Sequence, residues 1–152
     1  MTEEILVRTA RLEDAPALVR FNRAMALETE QKDLPLEIVT AGVDRLLRNP
    51  QLGYYVVAEV GTEIAGSLMI TFEWSDWRNA LYWWIQSVYI RPEFRQRGFY
   101  RRLYRHVKER AQGEGGVCGF RLYVEKENTA AQKVYETLGM SQSHYLMYEE
   151  SL

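Results

Sequence analysis

The spacing of hydrophobic residues changes several times along the chain, and each change predicts a new element of secondary structure. A short apolar run, EILVRTA (residues 4–10), predicts an opening strand. Two stretches with helical spacing follow, EDAPALVRFNRAMALETE and PLEIVTAGVDRLLRN. Pro16 and Pro35 lie at their starts, where the first turn of a helix tolerates proline, and Asp14 is a candidate N-cap. The pattern therefore predicts a strand followed by two helices.

Three runs rich in Val, Ile, Tyr and Phe occupy the middle of the chain and predict neighbouring strands. They read GYYVVAEV, EIAGSLMITFEW and ALYWWIQSVYI. Gly61-Thr62 predicts a hairpin turn between the first two, and the polar SDWRN predicts a loop before the third. Pro92 ends the third strand because proline has no N–H to donate to a sheet. We therefore expect three antiparallel strands.

Helical spacing returns at Gly98, where the apolar positions recur every four residues. The stripe consists of Phe99, Leu103, Val107 and Ala111. After GEGG, the segments FRLYV, NTAAQKVYETLG and SHYLMYEE predict a strand, a helix and a closing strand. The predicted order is β-α-α-β-β-β-α-β-α-β. This order predicts one α/β domain over residues 1–152, with a mixed α+β sheet covered by helices.

Composition and charge narrow the class of protein. The 152 residues are 47% hydrophobic and 26% charged with a net charge of −2, as expected for a folded soluble domain. No apolar run has the length of a membrane span and the N-terminus lacks signal-peptide features, so we expect a cytoplasmic protein that binds no membrane. We expect the single Cys118 to fill the core and His106 and His144 to pack or lie at the surface. No spacing indicates a metal site.

The most unusual stretch is RPEFRQRGFYRRLYRHVKER, residues 91–110, with eight Arg or Lys and two Glu. It is open to three interpretations: a nucleic-acid-binding arm, a solvated helix face, or a phosphate-binding loop at a helix start. The slightly acidic net charge argues against nucleic acid. A strand that turns into a helix start presents free N–H groups, and Gly98 lets a phosphate approach the backbone. The stretch alone does not choose between the last two interpretations.

A second motif lies in ENTAAQKVYETLGM, where Asn128, Ala131 and Tyr135 are spaced at i, i+3 and i+7. Two helical turns place these three residues on one face. On its own the motif equally fits an N-cap asparagine and a core tyrosine.

Together, in this order, the two motifs resemble the GNAT superfamily of acetyl-CoA-dependent N-acetyltransferases. The family's Arg/Gln-x-x-Gly-x-Gly/Ala motif corresponds to RQRGFY, with Tyr100 at the final Gly/Ala position. Its Asn-x-x-Ala-x-x-x-Tyr-x-x-x-Gly motif is matched in full, ending at Gly139. The resemblance extends over nearly the whole chain.

The resemblance implies a GNAT-like acyl-CoA N-acyltransferase fold in which the central strands WIQSVYI and FRLYV splay apart around the cofactor. The Val88 N–H is then the donor to the thioester oxygen, and Tyr135 is the general acid. Acetyl-CoA is the co-substrate, and no metal is involved. The residues implied in cofactor binding are Val88, Tyr89, Ile90, Arg95, Gln96, Arg97, Gly98, Phe99, Tyr100, Arg101, Asn128, Ala131 and Tyr135.

The general base stays open. Gln86 and Ser87 stand where many relatives have a catalytic Glu, and neither side chain is a good base. The amine proton could pass to a water chain held by Gln86, Ser87 or a backbone carbonyl. Alternatively, the amine arrives already neutral, or a carboxylate from elsewhere in the chain accepts the proton. Strand alternation places Trp84, Gln86 and Val88 on one face together with Tyr82. Candidate contacts to the acceptor are Glu28, Glu30, Glu73, Asp76 and Trp84, although each of the carboxylates also fits simple surface charge.

The expected function is transfer of an acetyl group from acetyl-CoA to a primary amine of a small molecule or peptide. A non-catalytic acyl-CoA-binding or sensing domain is the alternative, because the strand Glu is missing and Tyr100 departs from the motif. We expect no nucleic-acid partner. A homodimer is expected because dimers are common among relatives.

Overall fold

The computed structural model describes residues 3–152, which form two compact units that meet in sequence at Leu122 and Tyr123. The first unit contains β1 (Ile5–Thr9), α1 (Ala15–Glu30), α2 (Leu36–Arg48), β2 (Gly53–Val60), β3 (Glu63–Ser75), β4 (Ala80–Ile90), α3 (Phe99–Glu114) and β5 (Val117–Arg121). Short 3₁₀ turns precede α1 and follow β4, at Leu12–Asp14 and Pro92–Phe94. The second unit contains one helix, α4 (Thr129–Thr137).

The sheet of the first unit has the order β1-β2-β3-β4-β5. The first four strands pair antiparallel through short connections, and β5 pairs parallel to β4. Parallel neighbours need a long crossover, and α3 supplies it. The mixed α/β architecture predicted from the sequence is confirmed.

Helices cover both faces of this sheet. Tyr55 and Val57 of β2 pack under α1 and α2 with Leu18 and Val43. Tyr54, one residue earlier in β2 and therefore on the opposite face, packs edge-on against Trp83 and lies beneath Arg110 of α3. The largest core side chains thus come from alternate positions of the central strands.

A β-bulge interrupts β4 near its end. The register with β3 passes from Met69↔Gln86 to Ser67↔Tyr89, so Ser87 and Val88 stand opposite one residue of β3. Ser87 takes a left-handed φ of 51°. The extra residue corrects the expected alternation: Tyr89, and not Val88, continues the face that carries Gln86.

The predicted bounds of β2 and β4 are confirmed, but the end of the chain differs from prediction. The strand predicted at FRLYV lies at Val117–Arg121, three residues earlier. The closing strand predicted at residues 143–150 is not formed; this segment has no strand, and its side chains are exposed. A strand needs a neighbour for its backbone groups, and hydrophobic alternation alone does not provide one.

Two local predictions need correction. Asp14 occupies the N-cap position of α1, but its side chain forms no capping hydrogen bond with the helix. Its carboxylate instead accepts from the Arg11 N–H at 2.7 Å and from Arg8 at 2.8 Å, because it closes the 3₁₀ turn before the helix. Cys118 is exposed rather than buried, since it is the extra residue where the β4–β5 register shifts between Leu81 and Tyr82.

The second unit is organised around the start and end of α4. Asn128 caps the helix, because its Oδ1 accepts a hydrogen bond from the Ala131 N–H at 3.2 Å. Gly139 follows the helix with a left-handed φ of 100°. No helix in the described part of the chain has the length and apolar character needed to cross a membrane.

Candidate active site

The strands β4 and β5 stay paired for only a short distance. Their parallel register runs from Leu81↔Val117 to Trp84↔Arg121, where β5 ends. β4 continues to Ile90, so its residues 85–90 pair with β3 on one side and lie beyond β5 on the other. An extended chain with amide groups, such as pantetheine, fits along an edge of this kind. Val88, Tyr89 and Ile90 all belong to this edge.

The loop that follows β4 is shaped by two left-handed residues. Gln96 has a φ of 61° and Gly98 a φ of 79°. A Cβ built on Gly98 meets no heavy atom within 4 Å, so the space above this glycine is open. The protein's own packing therefore does not require glycine here, and the left-handed backbone conformation is what favours it.

Gly98 is the N-cap of α3, and the first intrahelical bond runs from the Arg102 N–H to its carbonyl at 3.2 Å. The amides of the preceding turn point out of the helix start, where the helix dipole favours an anion. Arg97 and Arg101 are both exposed beside this turn. Backbone donors, open space and positive charge thus meet where the pyrophosphate of a CoA molecule is expected.

Arg95 and Glu28 contact each other, not an open site. The Arg95 guanidinium donates to Glu28 Oε2 at 2.8 Å and to the Ile90 carbonyl at 2.8 Å, and it lies over the Tyr89 ring. The Tyr89 hydroxyl donates to Glu28 Oε1 at 3.1 Å. Burial, together with the Glu28 carboxylate, raises the pKa of Tyr89. Glu28 thereby connects the end of α1 to the loop after β4, and its contact with the acceptor stays a prediction.

The side chains of Phe99 and Tyr100 both pack against other aromatic rings. Phe99 is buried against Phe94, so only its backbone is available to a ligand. The Tyr100 ring stacks on Tyr104 with centroids 6.1 Å apart, and Tyr104 in turn packs on Phe120 of β5. The bulky residue at the motif's Gly/Ala position therefore lies along α3 and leaves the backbone turn in place.

On the α1 side of the sheet, Glu73 and Trp84 are brought together with Arg121. The Trp84 indole donates to Glu73 Oε1 at 2.8 Å, and Arg121 Nη1 donates to both carboxylate oxygens at 2.8 and 3.1 Å. The Trp84 bond and then the Arg121 contacts lower the pKa of Glu73, outweighing the opposite effect of burial. Glu73 is therefore ionised and already paired with a cation.

Gln86 lies directly before the bulge, and its Nε2 donates to the Thr71 hydroxyl at 2.6 Å. This bond fixes the amide and turns its carbonyl oxygen away from Thr71. Neither Gln86 nor Ser87 titrates near neutral pH, so neither is a proton-accepting carboxylate of the kind found in many relatives.

The remaining predicted carboxylates lie at the surface. Glu30 is exposed and forms an ion pair with Lys32 at 3.5 Å. Asp76 is exposed in the connection between β3 and β4. Within residues 3–152, no group of three or more His, Cys, Asp or Glu is placed to hold a metal ion.

In the second unit, Tyr135 lies on α4 two turns after Asn128. Burial raises the pKa of Tyr135, so the phenol keeps its proton at neutral pH. A protonated phenol on a helix can serve as a proton donor.

A separate groove of about 680 Å³ opens at the turn between β2 and β3. Carboxylates repel phosphates, so this acidic groove does not suit a CoA pyrophosphate. Its lining includes Glu3, Glu4, Glu59, Glu63 and Phe94.

The sequence did not predict the contacts that Tyr82 makes with Arg78 and Arg121. The Arg121 guanidinium lies 3.7 Å from the centroid of the Tyr82 ring, and Arg78 Nε donates to the Tyr82 hydroxyl at 2.7 Å. Tyr82 was expected on the same face as Trp84, but no local pattern indicates its pairing with an arginine from β5.

Comparison with solved structures supports the fold. A possible acetyltransferase from Clostridium difficile 630 shares 41% identity over 99% of both chains, with a TM-score of 0.91. A predicted acetyltransferase from Clostridium acetobutylicum, solved with acetyl-CoA, shares 18% identity over 97% of this chain and 96% of its own, with a TM-score of 0.79. An aminoglycoside N-acetyltransferase in complex with CoA shares 15% identity over 99% and 97%, also with a TM-score of 0.79.

The last two similarities concern the fold alone. Among curated proteins, none matches this chain with a significant score. The family model for the acetyltransferase (GNAT) family matches residues 13–140, which include both motifs. The chain therefore belongs to the GNAT family of acetyltransferases.

Proposed function

We propose that this protein transfers the acetyl group of acetyl-CoA to a primary amine of a small molecule or peptide. The observation that carries the proposal is the arrangement around the end of β4. A bulged strand edge extends beyond β5 and leads into an open, glycine-capped helix start. These are the two features that an extended pantetheine and a pyrophosphate need.

In this proposal the cofactor is held mainly by backbone groups. The edge of β4 at Val88, Tyr89 and Ile90 pairs with the pantetheine, while the loop and first turn of α3 hold the pyrophosphate. Arg97 and Arg101 supply counter-charge. Acetyl-CoA supplies a thioester-linked acetyl group for this arrangement to orient.

The chemistry requires one bond to form and one to break. The amine nitrogen attacks the thioester carbonyl carbon, a C–N bond forms, and the C–S bond breaks. The Val88 N–H, in the bulge, stabilises the negative charge that develops on the carbonyl oxygen. Tyr135 gives its proton to the departing sulfur. Asn128, two turns earlier on the same face of α4, holds the cofactor or a water.

The proton lost by the amine goes to water. Gln86 is held by Thr71 beside the bulge, and we assign its amide carbonyl to positioning the amine or that water. The acceptor then has to arrive neutral, or lose its first proton to solvent, because Gln86 and Ser87 supply no base.

The proposal is tested by incubating the protein with acetyl-CoA and a panel of primary amines, with CoA release and product mass as readouts. Acetylated product above the enzyme-free rate supports it. Failure to bind acetyl-CoA in a calorimetric titration contradicts it.

The absence of a carboxylate at Gln86 and Ser87 favours one alternative, a domain that binds acyl-CoA without turning it over. This alternative predicts tight acetyl-CoA binding with no acetylated product from polyamines, amino acids, aminoglycosides or peptides. Robust turnover of a single amine rejects it.

A further inference from the structure

The hairpin between β3 and β4 ends in a turn that is fixed by hydrogen bonds. The Asn79 N–H donates to the Asp76 carbonyl at 3.4 Å and closes the turn. The backbone N–H of Arg78 donates to the Ser75 hydroxyl at 3.3 Å, and its Nε donates to the Tyr82 hydroxyl at 2.7 Å. The tip of the hairpin is therefore ordered before anything contacts it.

Two tryptophans are exposed at this ordered tip. Trp77 is 92% exposed in the turn, and Trp74, next to the end of β3, is 60% exposed. Trp74 lies on the sheet face where Phe72 packs against Trp83, so it continues the apolar core outward. Covering such rings is favourable, and a turn that is already fixed loses little conformational entropy when they are covered.

The charges at the tip complement each other across a two-fold axis. Asp76 and Arg78 flank Trp77 in the chain, and both are exposed. Within residues 3–152, neither of them takes part in an ion pair. In a two-fold contact each residue pair occurs twice, so Asp76 of each copy can face Arg78 of the other. A second copy of the chain thus supplies both the apolar and the charged partners that this tip needs.

We propose that two copies of this protein associate through their β3–β4 hairpin tips, with Trp77 against Trp77 and Asp76 against Arg78 across a two-fold axis. Tryptophan and arginine are the residue types that protein interfaces favour. A lipid surface fits less well, because anionic headgroups repel the Asp76 carboxylate. The association is separate from the acetyl transfer proposed above.

The size of the contact sets its expected strength. A covered tryptophan buries about 150–250 Å², so two rings from each copy give a total of about 600–1,000 Å². This area is below the roughly 1,200–2,000 Å² of a stable interface. We therefore expect a weak and rapidly reversible dimer, with a Kd of about 10⁻⁵ to 10⁻⁴ M.

Sedimentation equilibrium of the full chain, from about 1 µM to about 1 mM, tests the proposal. We expect the average mass to rise from that of the monomer toward twice that value. Trp77→Ser should weaken the association at least about ten-fold, because a central tryptophan carries much of the binding energy of an interface. Ile38→Ser is the matched control, since Ile38 is 69% exposed on α2 and lies outside the hairpin.

Charge reversal tests the two-fold pairing itself. Asp76→Lys alone sets two positive charges against each other, and Arg78→Glu alone sets two negative charges against each other. Each variant by itself should therefore associate at least about ten-fold more weakly than the wild type. A mixture of the two variants pairs every charge with an opposite one, and we expect its association to return to within about three-fold of the wild type. Glu37→Lys, at an exposed position of α2, is the control.

Three results would overturn the proposal: a monomer at about 1 mM, a dimer that Trp77→Ser leaves intact, or a mixture that associates no better than its separate variants. Binding to phosphatidylcholine–phosphatidylserine vesicles that requires Trp77, by a protein that stays monomeric, would overturn it in favour of a membrane contact. None of these results bears on acetyl transfer, because the tip and the bulge lie at opposite ends of β4.

Discussion

The proposed cofactor side and the proposed acceptor side of β4 are built from different parts of the chain. On the cofactor side, the structure offers backbone: the bulge at Ser87, the left-handed Gln96 and Gly98, and the first turn of α3. On the acceptor side it offers side chains from three strands, such as Glu73 and Arg121. The local sequence marks the turn at Gly98, whereas the bulge and the side-chain pairs across the sheet depend on strand register.

A substitution on the proposed acceptor face alters the charge of that face and leaves the backbone of the loop between β4 and α3 unchanged. A substitution at Gly98 disturbs the backbone of this loop, because the φ of 79° at Gly98 is one that other residues rarely adopt. The variants below separate the two sides, from the largest expected effect to the smallest.

Tyr135→Phe separates chemistry from binding most sharply. Removing the hydroxyl removes the proposed proton donor, and we expect kcat to fall by about 10²-fold or more. Acetyl-CoA affinity should change little, because the ring is retained. Single-turnover kinetics and a calorimetric titration of the same protein measure the two quantities. Unchanged turnover would remove Tyr135 from the role of general acid.

Glu28→Gln tests whether this carboxylate serves the cofactor side. It breaks the ion pair with Arg95 at 2.8 Å, which helps to hold the loop after β4. A half-exposed pair of this kind contributes up to about 1 kcal/mol, so we expect the KM for acetyl-CoA to rise up to about five-fold. The KM for the acceptor should stay the same.

Glu30→Gln is the matched control, because Glu30 lies two residues away and, among residues 3–152, forms an ion pair only with the exposed Lys32. If Glu28→Gln raised the acceptor KM and spared that of acetyl-CoA, Glu28 would belong to the acceptor side as first predicted from the sequence.

Arg101→Gln tests the counter-charge at the helix start. Because Arg101 is exposed, we expect acetyl-CoA affinity to fall about two- to three-fold at low salt and the difference to shrink as salt is added. Arg105→Gln, about one turn further along α3 and also exposed, provides the control. An equal loss of acetyl-CoA affinity in both variants would indicate general electrostatic attraction to the basic helix and not a specific contact at its start.

The pH dependence of the acceptor side gives the smallest expected effect. The pKa of Glu73 is lowered by Trp84 and Arg121, so any stabilisation from its charge is present above its ordinary pKa of about 4 and is lost only as pH falls through the lower folded value. We therefore expect no Glu73 titration in the pH–rate profile between about pH 5 and 8. A step in that range that disappears in Glu73→Gln would identify Glu73 as a base.

Local features of the sequence sufficed for most of the fold. Runs of Val, Ile, Tyr and Phe placed β2 and β4 at their observed bounds, and the motif around Gly98 placed the start of α3. β5 was placed too late because Gly119 is a poor strand former, and its pairing with Tyr82 of β4 makes it part of the strand.

The rest depends on contacts that no local pattern reveals. The bulge at Ser87 has no glycine to mark it, and it moved Val88 off the face where alternation placed it. The Glu73–Arg121 pair joins residues 48 positions apart and follows from the β4–β5 register. The contacts of Glu28 with Arg95 and Tyr89 join residues more than 60 positions apart, and its charge in the sequence did not indicate them.

The most direct test of the account is a calorimetric titration of acetyl-CoA into the wild-type protein and into Gly98→Ala. The added Cβ projects into the open space above the loop, and the left-handed φ makes alanine unfavourable there by about 1–2 kcal/mol. Gly113→Ala, within the same helix and in open space, is the control. We predict binding by the wild type and the control and at least about a ten-fold loss in Gly98→Ala. Equal affinity in all three, or no binding by the wild type, would contradict a backbone-built cofactor site.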